Sequence, residues 1–389
     1  MKDRSWLALW VTLAAQALVT FQLSIAPVIA PAVAPTLGID PSQVGVFTAV
    51  AYVFAVLTGA FFGPWIDRIG PVRFTCFAVL SAGLGGLLST GGSALLLVSA
   101  ALVGAGYGGT NPSAAAILGR HAPARSAGFF FALKQTGVPL GVALAGLTMT
   151  VAVASLGWRL AVSVASVVAI GCALLILRTA PLLEERDRAR TAQQVSAWSS
   201  LREVVTRPEL RRLSLMSLAY AMAQQAFVTY VVSLLVARGL PLSTAGAMLA
   251  ASQVASVIVR VSTGHVSDKW IEPRTMLAGL GFAMALACAG LALLPDAPPL
   301  AWVAVLMLFA GATTMGWNGV FFAQLVRIVP KQDLAKTAGG TQAFTFGGAT
   351  LGPFFFALLL REGYSYTLAY LAFGSVAALA ALAMAKRSQ

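Results

Sequence analysis

The feature that most constrains this chain is a series of apolar segments, each long enough to cross a lipid bilayer as a helix. Such a helix needs about 20 predominantly apolar residues. Segments of this kind cover residues 6–33, 43–64, 74–92, 95–118, 126–152, 158–178, 212–236, 242–265, 275–294, 299–323, 336–359 and 364–385. They occupy most of the 389 residues, so we predict an all-α membrane protein of twelve transmembrane helices without a soluble catalytic domain.

The basic residues predict how these helices are oriented. The net charge of +13 would suit a nucleic-acid-binding protein, but the charge is unevenly distributed. With the N-terminus in the cytoplasm, all but five of the 26 lysines and arginines lie in cytoplasmic segments. Arg159, Arg238 and Arg361 lie on the other side, and Lys134 and Arg260 lie within spans. This asymmetry follows the positive-inside rule, so we expect a bacterial-type inner-membrane protein with both termini cytoplasmic and no nucleic-acid partner.

Residue types recur about 200 positions apart, in the same order, which indicates two similar halves. Gln16 corresponds to Gln225, and Asn111 corresponds to Asn318. Further pairs are Gly104 with Gly311, Gly137 with Gly348, and Asp67 and Arg68 with Asp268 and Lys269. We therefore predict a six-helix bundle over 1–178, a cytoplasmic linker over 179–211 and a second six-helix bundle over 212–389. The end of the linker, from Trp198 to Arg212, is predicted to form a short amphipathic helix that Pro208 ends or kinks.

The segment 63–73, GPWIDRIGPVR, resembles the loop-2/3 signature of the major facilitator superfamily, and GHVSDK at 264–269 resembles its second copy. The resemblance covers essentially the whole chain and implies two pseudo-symmetric six-helix bundles around a central cavity. It also implies a cytoplasmic latch that must open and close during transport. The residues we assign to this gating are Gly63, Asp67, Arg68, Arg120, Asp268 and Lys269.

The candidate binding site follows from an imbalance of charge inside the membrane. None of the thirteen acidic residues falls within a predicted span, whereas Lys134 and Arg260 do. At 1.5 Å per residue they lie about 12 to 13 Å from the cytoplasmic boundary. A cation near the bilayer centre costs about 2.5–3.5 kcal/mol on insertion scales and usually faces an interior cavity. We therefore hypothesise that an anionic substrate is held between Lys134 and Arg260.

Two alternatives remain open for these cations. Lys134 is also compatible with a structural role beside a backbone carbonyl or Gln135, and Arg260 with a helix-end residue that reaches the inner surface. Arg260 occupies a position similar to the substrate arginine of monocarboxylate transporters and the oxalate:formate antiporter. Those monocarboxylate carriers have an aspartate four residues earlier, where this chain has Ser256.

Polar side chains on the spans expected to line the cavity complete the predicted site. They suit an oxyanion because amide, hydroxyl and indole groups supply hydrogen bonds alongside the charge, although such groups also join helices to one another. They are Gln16, Tyr107, Asn111, Gln225, Tyr230, Trp317 and Asn318.

These observations predict a secondary active transporter for a small organic anion, a carboxylate in particular, acting as a monomer in the lipid bilayer. An interior-negative potential opposes inward movement of an anion by about 2.3 kcal/mol per charge per 100 mV. We therefore expect coupling to protons, carried by the substrate or Lys134, or exchange for a second anion. The alternative is a proton-coupled drug or cation exporter, but no embedded acid is present and Ala100 stands where such exporters carry an arginine. No enzyme active site, metal site or cofactor is predicted.

Overall fold

The structure is a computed structural model, and it describes residues 2–123, 125–184, 197–330 and 333–385. Within these ranges, the side chains of residues 2, 3, 63, 64, 67, 197–199, 261, 264–269 and 334–336 lie outside the description. The described residues form helices joined by short turns and contain no β-strand.

Twelve helical segments of the described chain are long and apolar enough to cross a membrane. Spans 1 to 6 are Arg4–Leu37, Pro41–Phe61, Pro71–Ser89, Ser93–His121, Ala127–Leu156 and Trp158–Leu177. Spans 7 to 12 are Pro208–Ala237, Leu242–Arg260, Pro273–Ala292, Leu300–Ile328, Thr337–Arg361 and Tyr366–Ala385. The predicted fold class, an all-α protein of twelve transmembrane helices, is confirmed.

Several helices lie beside the spans or extend them. The helix of span 8 continues to Lys269, and the helix of span 11 begins at Leu334. Shorter helices cover Gly63–Ile69, Ala180–Leu183 and Ala197–Thr206. The last of these, which we call the linker helix, ends two residues before Pro208, which is the first residue of span 7. Span 7 thus begins earlier than the start at residue 212 that hydropathy predicts. The predicted start is late because the exposed Arg211 and Arg212 near the beginning of the helix lower the local hydropathy.

Span 5 is interrupted next to its lysine. Helix Ala127–Gln135 is followed by Thr136, helix Gly137–Leu144, a π-helical turn at Ala145–Met149 and helix Thr150–Leu156. Pro139 has no N–H, so the carbonyl of Gln135 lacks the usual donor four residues later. The N–H of Thr136 bonds to Leu133 in a tighter turn instead, at 3.1 Å. Lys134 therefore lies at the end of a helix, just before the interruption.

Contacts between residues divide the chain into two compact units. Unit 1 contains Met1–Pro41 and Val50–Thr191, and unit 2 contains Ser42–Ala49 and Ala192–Gln389. The first turns of span 2 thus belong to unit 2, whereas the sequence repeat places them in the first half. Within unit 2, Gly45 of this segment packs against Tyr230 and the carbonyl of Pro353.

Glycines bring equivalent helices together in the two units. In unit 1, Gly104 of span 4 packs on the backbone of Ala51 in span 2; in unit 2, Gly311 of span 10 packs on Ser252 in span 8. Gly137 of span 5 likewise packs on Leu13 in span 1, and Gly348 of span 11 packs on Leu218 in span 7. A Cβ atom at any of these positions would lie too close to neighbouring backbone, which explains why glycine occupies both members of each pair.

Candidate functional site

The candidate site of unit 1 is centred on Lys134, whose side chain is 2% exposed. Its ammonium nitrogen Nζ donates hydrogen bonds to Gln16 Oε1 at 2.7 Å and to Asn111 Oδ1 at 2.6 Å. These partners come from spans 1 and 4, so the lysine joins three spans. Sequence analysis names all three residues but does not predict that they contact one another.

Hydroxyl groups and a close helix contact hold the amide of Gln16 in place. Its Oε1 also accepts a hydrogen bond from Thr110 Oγ1 at 3.1 Å, and its Nε2 donates to Thr20 Oγ1 at 3.3 Å. A Cβ atom at Gly137 would lie 2.9 Å from the carbonyl oxygen of Leu13 and 3.0 Å from Gln16 Cβ. The absence of a side chain at Gly137 therefore lets span 1 bring Gln16 next to Lys134.

No described carboxylate neutralises Lys134. Its hydrogen-bond partners are neutral amide oxygens, which solvate an ammonium ion but carry no opposite charge. Of the twelve spans, only span 7 contains an acidic residue, Glu209, and this residue is exposed in the first turn. The predicted imbalance of charge is therefore present in the described helices. It is unusual, because a buried cation normally has a charged partner.

An aromatic pair lies along the same face of span 4. Tyr107 is one helical turn before Asn111, so both side chains point to one side of the helix. The ring of Tyr107 meets that of Tyr52 from span 2 edge-on, with centroids 5.7 Å apart. Tyr107 is among the predicted site residues. Tyr52 is not among them, although the spacing that relates Gly63 to Gly264 pairs it with another polar residue, Gln253.

The polar cluster of unit 2 contains Arg260, which is partly exposed. Its Nη2 donates to the backbone carbonyl of Met315 at 3.4 Å, and Asn318 Nδ2 donates to the same oxygen at 3.3 Å. The structure thus brings these two predicted residues together through a shared acceptor. Ser256, which stands in place of the monocarboxylate-carrier aspartate, is buried and bonds to the carbonyl of Gln253 at 2.8 Å.

Gln224 connects this cluster to span 7. Its Oε1 accepts hydrogen bonds from Trp317 Nε1 at 3.0 Å and from Asn318 Nδ2 at 3.2 Å. The sequence repeat selects the neighbouring Gln225 as the counterpart of Gln16, but these contacts are made by Gln224. Trp317 is 1% exposed, with its ring edge-on to those of Tyr220 and Phe321, so in this conformation it orients the glutamine from within the core.

Tyr230 lies elsewhere in unit 2. Its hydroxyl donates to the carbonyl oxygen of Ser42 at 2.7 Å and to that of Pro353 at 3.3 Å. Its ring stacks on Phe356 with centroids 4.3 Å apart. The Tyr230 hydroxyl thus joins the start of span 2 to span 11, and neither of these two partners belongs to the Gln224 cluster.

The position of unit 2 that corresponds to Lys134 carries no charge. The spacing that relates Gly137 to Gly348 relates Lys134 to Thr345. Thr345 Oγ1 donates to Ser217 Oγ of span 7 at 3.1 Å, which repeats the contact between spans 5 and 1 with neutral groups. The buried ammonium is therefore a feature of unit 1.

The predicted latch falls largely outside the described side chains. Gly63 and Asp67 lie in the short helix Gly63–Ile69, and Asp268 and Lys269 end the helix of span 8, but their side-chain surroundings lie outside the description. Arg68 and Arg120 are exposed.

A carboxylate that sequence analysis did not select lies at the start of span 3. Glu184 Oε1 accepts hydrogen bonds from the N–H groups of Val72 and Arg73 at 3.0 and 2.9 Å. Its Oε2 also pairs with Arg73 Nε at 3.3 Å. Glu184 thus caps span 3 from the end of the first bundle, where several acidic and basic residues follow one another in the sequence and none stands out as a cap. The described residues contain no group of three or more His, Cys, Asp or Glu side chains placed to bind a metal ion.

Twelve apolar spans, equivalent glycine contacts in two units and a buried cation define an integral membrane carrier fold. The sequence profile described as Major Facilitator Superfamily matches residues 12–339. The chain belongs to the Major Facilitator Superfamily, and it is a transporter rather than an enzyme.

Two relatives are similar in sequence. The probable sulfoacetate transporter SauU of Cupriavidus necator is 28% identical over 384 residues, covering 92% of this chain and 87% of that protein. The probable 4-methylmuconolactone transporter of Cupriavidus pinatubonensis is 30% identical over 211 residues, covering 54% of this chain and 49% of that protein.

Solved structures show the same fold. A bacterial homologue of the human lysosomal transporter Spinster, in an inward-facing and unoccupied conformation, matches with a TM-score of 0.76 and 19% identity, covering 99% of this chain and 94% of that one. A D-xylose-proton symporter matches with a TM-score of 0.73 and 16% identity, covering 97% and 96%.

Proposed function

We propose that this protein carries a small organic anion, a carboxylate in particular, across the inner membrane by alternating access. The observation that supports this most directly is the environment of Lys134. Its ammonium is buried among neutral oxygens, with no described carboxylate to balance it. A carried anion would supply the missing charge, because an opposite charge stabilises a cation far more in a low-dielectric interior than in water.

The geometry of Lys134 also leaves a donor for the substrate. An ammonium group has three N–H donors, and two of them are directed to Gln16 and Asn111. The third is proposed to donate to an oxygen of the anion. Since Lys134 is almost fully buried in this conformation, substrate contact requires neighbouring side chains to move, as they would during alternating access.

The remaining predicted residues are proposed to act in two groups. In unit 1, Gln16, Asn111 and Tyr107 position the ammonium and offer hydrogen bonds. In unit 2, Arg260 and Asn318 are proposed as substrate contacts, with Trp317 and Gln224 holding Asn318 in place. Gln225 and Tyr230 are proposed as further polar groups of the site, outside the contacts that Gln224 makes with Trp317 and Asn318.

The names of the two relatives support an anionic substrate. Sulfoacetate and 4-methylmuconolactone are both small organic anions. The relative named for sulfoacetate matches almost the full length of this chain, so sulfoacetate is the first compound to test.

The membrane potential requires a coupling step for uptake of an anion. We propose that either protons or a second anion provide it. The described spans place no carboxylate near Lys134, so a symported proton would travel on the substrate or on the lysine itself. The protein is proposed to act as a monomer with both termini in the cytoplasm.

Uptake into proteoliposomes tests the proposed substrate class. Purified protein is reconstituted and supplied with labelled sulfoacetate, simple mono- and dicarboxylates, and lipophilic cations, beside Lys134→Ala and Arg260→Ala variants. We expect saturable uptake of at least one anion and its loss in the Lys134→Ala variant. Transport of cations alone, with both variants fully active, would refute the proposal and favour the exporter alternative.

A further inference from the structure

The linker helix Ala197–Thr206 has one packed face and one open face. Ser200 and Val204 are buried, and Gly340 of span 11 lies against both of them. On the neighbouring face, Val205 is 46% exposed. The linker helix therefore packs on span 11 through the face that carries Ser200 and Val204.

A cleft of about 370 Å³ lies along the open face, and the described residues that line it are Leu201, Arg202, Val205 and Thr206. Two apolar side chains and a guanidinium group thus border the same space. Thr206 Oγ1 already bonds to the carbonyl of Arg202 at 2.8 Å, so the hydroxyl is engaged by the helix and the arginine is the polar group available to a ligand.

A second arginine approaches the cleft from span 7. Arg211 Nη1 donates to the backbone carbonyl of Val205 at 3.5 Å. Arg202 lies three residues before Val205 on the linker helix, which places their side chains on adjacent turns of one face. Arg202 therefore lines the cleft, and the guanidinium of Arg211 reaches the backbone of Val205, another of its lining residues.

The local charge is positive after pairing. Glu203 pairs with Arg207 at 3.3 Å. Among the described side chains, Arg202, Arg211 and Arg212 contact no carboxylate within 4 Å, and the nearby acid is the exposed Glu209. Three arginines thus face one glutamate in a region that also exposes apolar surface.

The short connection between the linker helix and span 7 determines where the cleft lies. A single residue, Arg207, separates the end of the linker helix from the first residue of span 7, and from this adjacency we expect the linker helix to lie at the membrane surface. Leu215, which is 50% exposed, is one turn beyond Arg211 on the same side of span 7. An amphiphile with its phosphate at Arg211 would therefore lay an acyl chain along Leu215.

We propose that the linker helix and the first turns of span 7 form a binding site for an anionic phospholipid of the adjoining leaflet. Arginine suits this ligand because its planar guanidinium binds phosphate oxygens in a bidentate manner. Basic clusters beside a membrane span attract anionic lipids by the same charge. A zwitterionic lipid fits this site less well, because its own cationic group balances the charge of its phosphate. A free phosphate also fits less well, because it has no acyl chain to cover Val205 and Leu215. The site is separate from Lys134 and does not depend on which compound is carried.

Native mass spectrometry of the full-length protein tests this site. The protein is exposed to equimolar phosphatidylglycerol and phosphatidylcholine in detergent, and the ratio of retained lipids is measured. The wild type is expected to prefer phosphatidylglycerol. Because a basic residue near the surface contributes about fivefold in affinity, Arg202→Gln should reduce the ratio about fivefold, and Arg202→Gln/Arg211→Gln should reduce it further.

A matched control removes two exposed arginines of unit 1, as Arg125→Gln/Arg178→Gln, and should leave the ratio unchanged. The proposal is wrong if the wild type shows no preference, or if the control variant loses as much as the cleft variant. It is also wrong if soluble glycerol phosphate displaces phosphatidylglycerol from the wild type as effectively as added lipid does. Circular dichroism and size-exclusion chromatography of each variant verify that the fold is intact.

Discussion

At the scale of the residue, the proposed transport of an anion depends most on Lys134. A buried ammonium held by two amide oxygens costs free energy that a structural role alone would not require, since an apolar side chain would pack there with no charge to solvate. The protein retains the charge at a position whose counterpart in unit 2 is the neutral Thr345. A charged residue in unit 1 opposite a neutral counterpart in unit 2 is expected if the charge serves to bind an anion.

The dependence of Lys134 on Asn111 leads to a test of stability. Asn111→Leu removes one of the two acceptors of a buried ammonium and should lower the free energy of unfolding by about 1–3 kcal/mol. Adding Lys134→Met removes the charge that lost its partner, so the double variant should recover most of that loss. Thermal unfolding in detergent measures both. A double variant no more stable than Asn111→Leu alone would show that the ammonium is not what Asn111 supports.

Sequence analysis identified the charge but not its contacts. The absence of acids in the predicted spans was enough to select Lys134, and the repeat selected Gln16 and Asn111. The repeat pairs Gln16 with Gln225, whereas the contacts to Trp317 and Asn318 are made by its neighbour Gln224, because one residue along a helix turns a side chain by about 100°. Contacts between spans depend on how neighbouring helices are rotated, which spacing along the chain does not specify.

At the scale of the element, span 5 positions the lysine through its interruption and its glycines. The missing N–H of Pro139 ends the first helix just after Lys134, and Gly137 lets span 1 approach. The sequence shows the glycines and proline, and from them a close helix approach is predictable. The order of α-helical and π-helical segments is not predictable from the sequence, since it arises from how the whole span packs.

Two glycines of span 5 provide a matched pair of variants. Gly137→Ala places a Cβ 2.9 Å from the carbonyl of Leu13, so it should displace span 1, destabilise the protein by about 1–3 kcal/mol and impair anion uptake. Gly128→Ala meets open space and should be neutral or stabilising by up to about 1 kcal/mol, because alanine favours helix. Thermal unfolding and uptake assays compare them; equal behaviour of the two variants would contradict the proposed role of the contact between spans 1 and 5.

At the scale of the whole molecule, most of the fold is predictable from hydropathy and from the 63–73 signature. The number of spans and the superfamily follow from apolar length and the 63–73 signature, and both are confirmed. The start of span 7 was predicted late, because arginines at a helix end resemble a loop in composition. The inclusion of Ser42–Ala49 in unit 2 was not predictable, since it reflects contacts made by one end of a single span.

Topology provides a test at this scale. In a variant with Cys76, Cys172 and Cys288 replaced by alanine, Asp296→Cys should react with a membrane-impermeant maleimide in intact cells. Arg125→Cys should react only after permeabilisation, because the positive-inside rule places it in the cytoplasm. Both positions are exposed. Labelling of Arg125→Cys in intact cells, with Asp296→Cys protected, would reverse the assigned orientation.

The kinetics of anion uptake in proteoliposomes, measured for Lys134→Gln and Lys134→Arg beside the wild type, test whether the charge of Lys134 binds the carried anion. Glutamine retains hydrogen bonding but removes the charge, so we predict a loss of at least about tenfold in kcat/KM, equivalent to about 1.4 kcal/mol. Arginine keeps the charge and should retain part of the activity. Anion uptake by Lys134→Gln at the wild-type rate and KM would contradict the account.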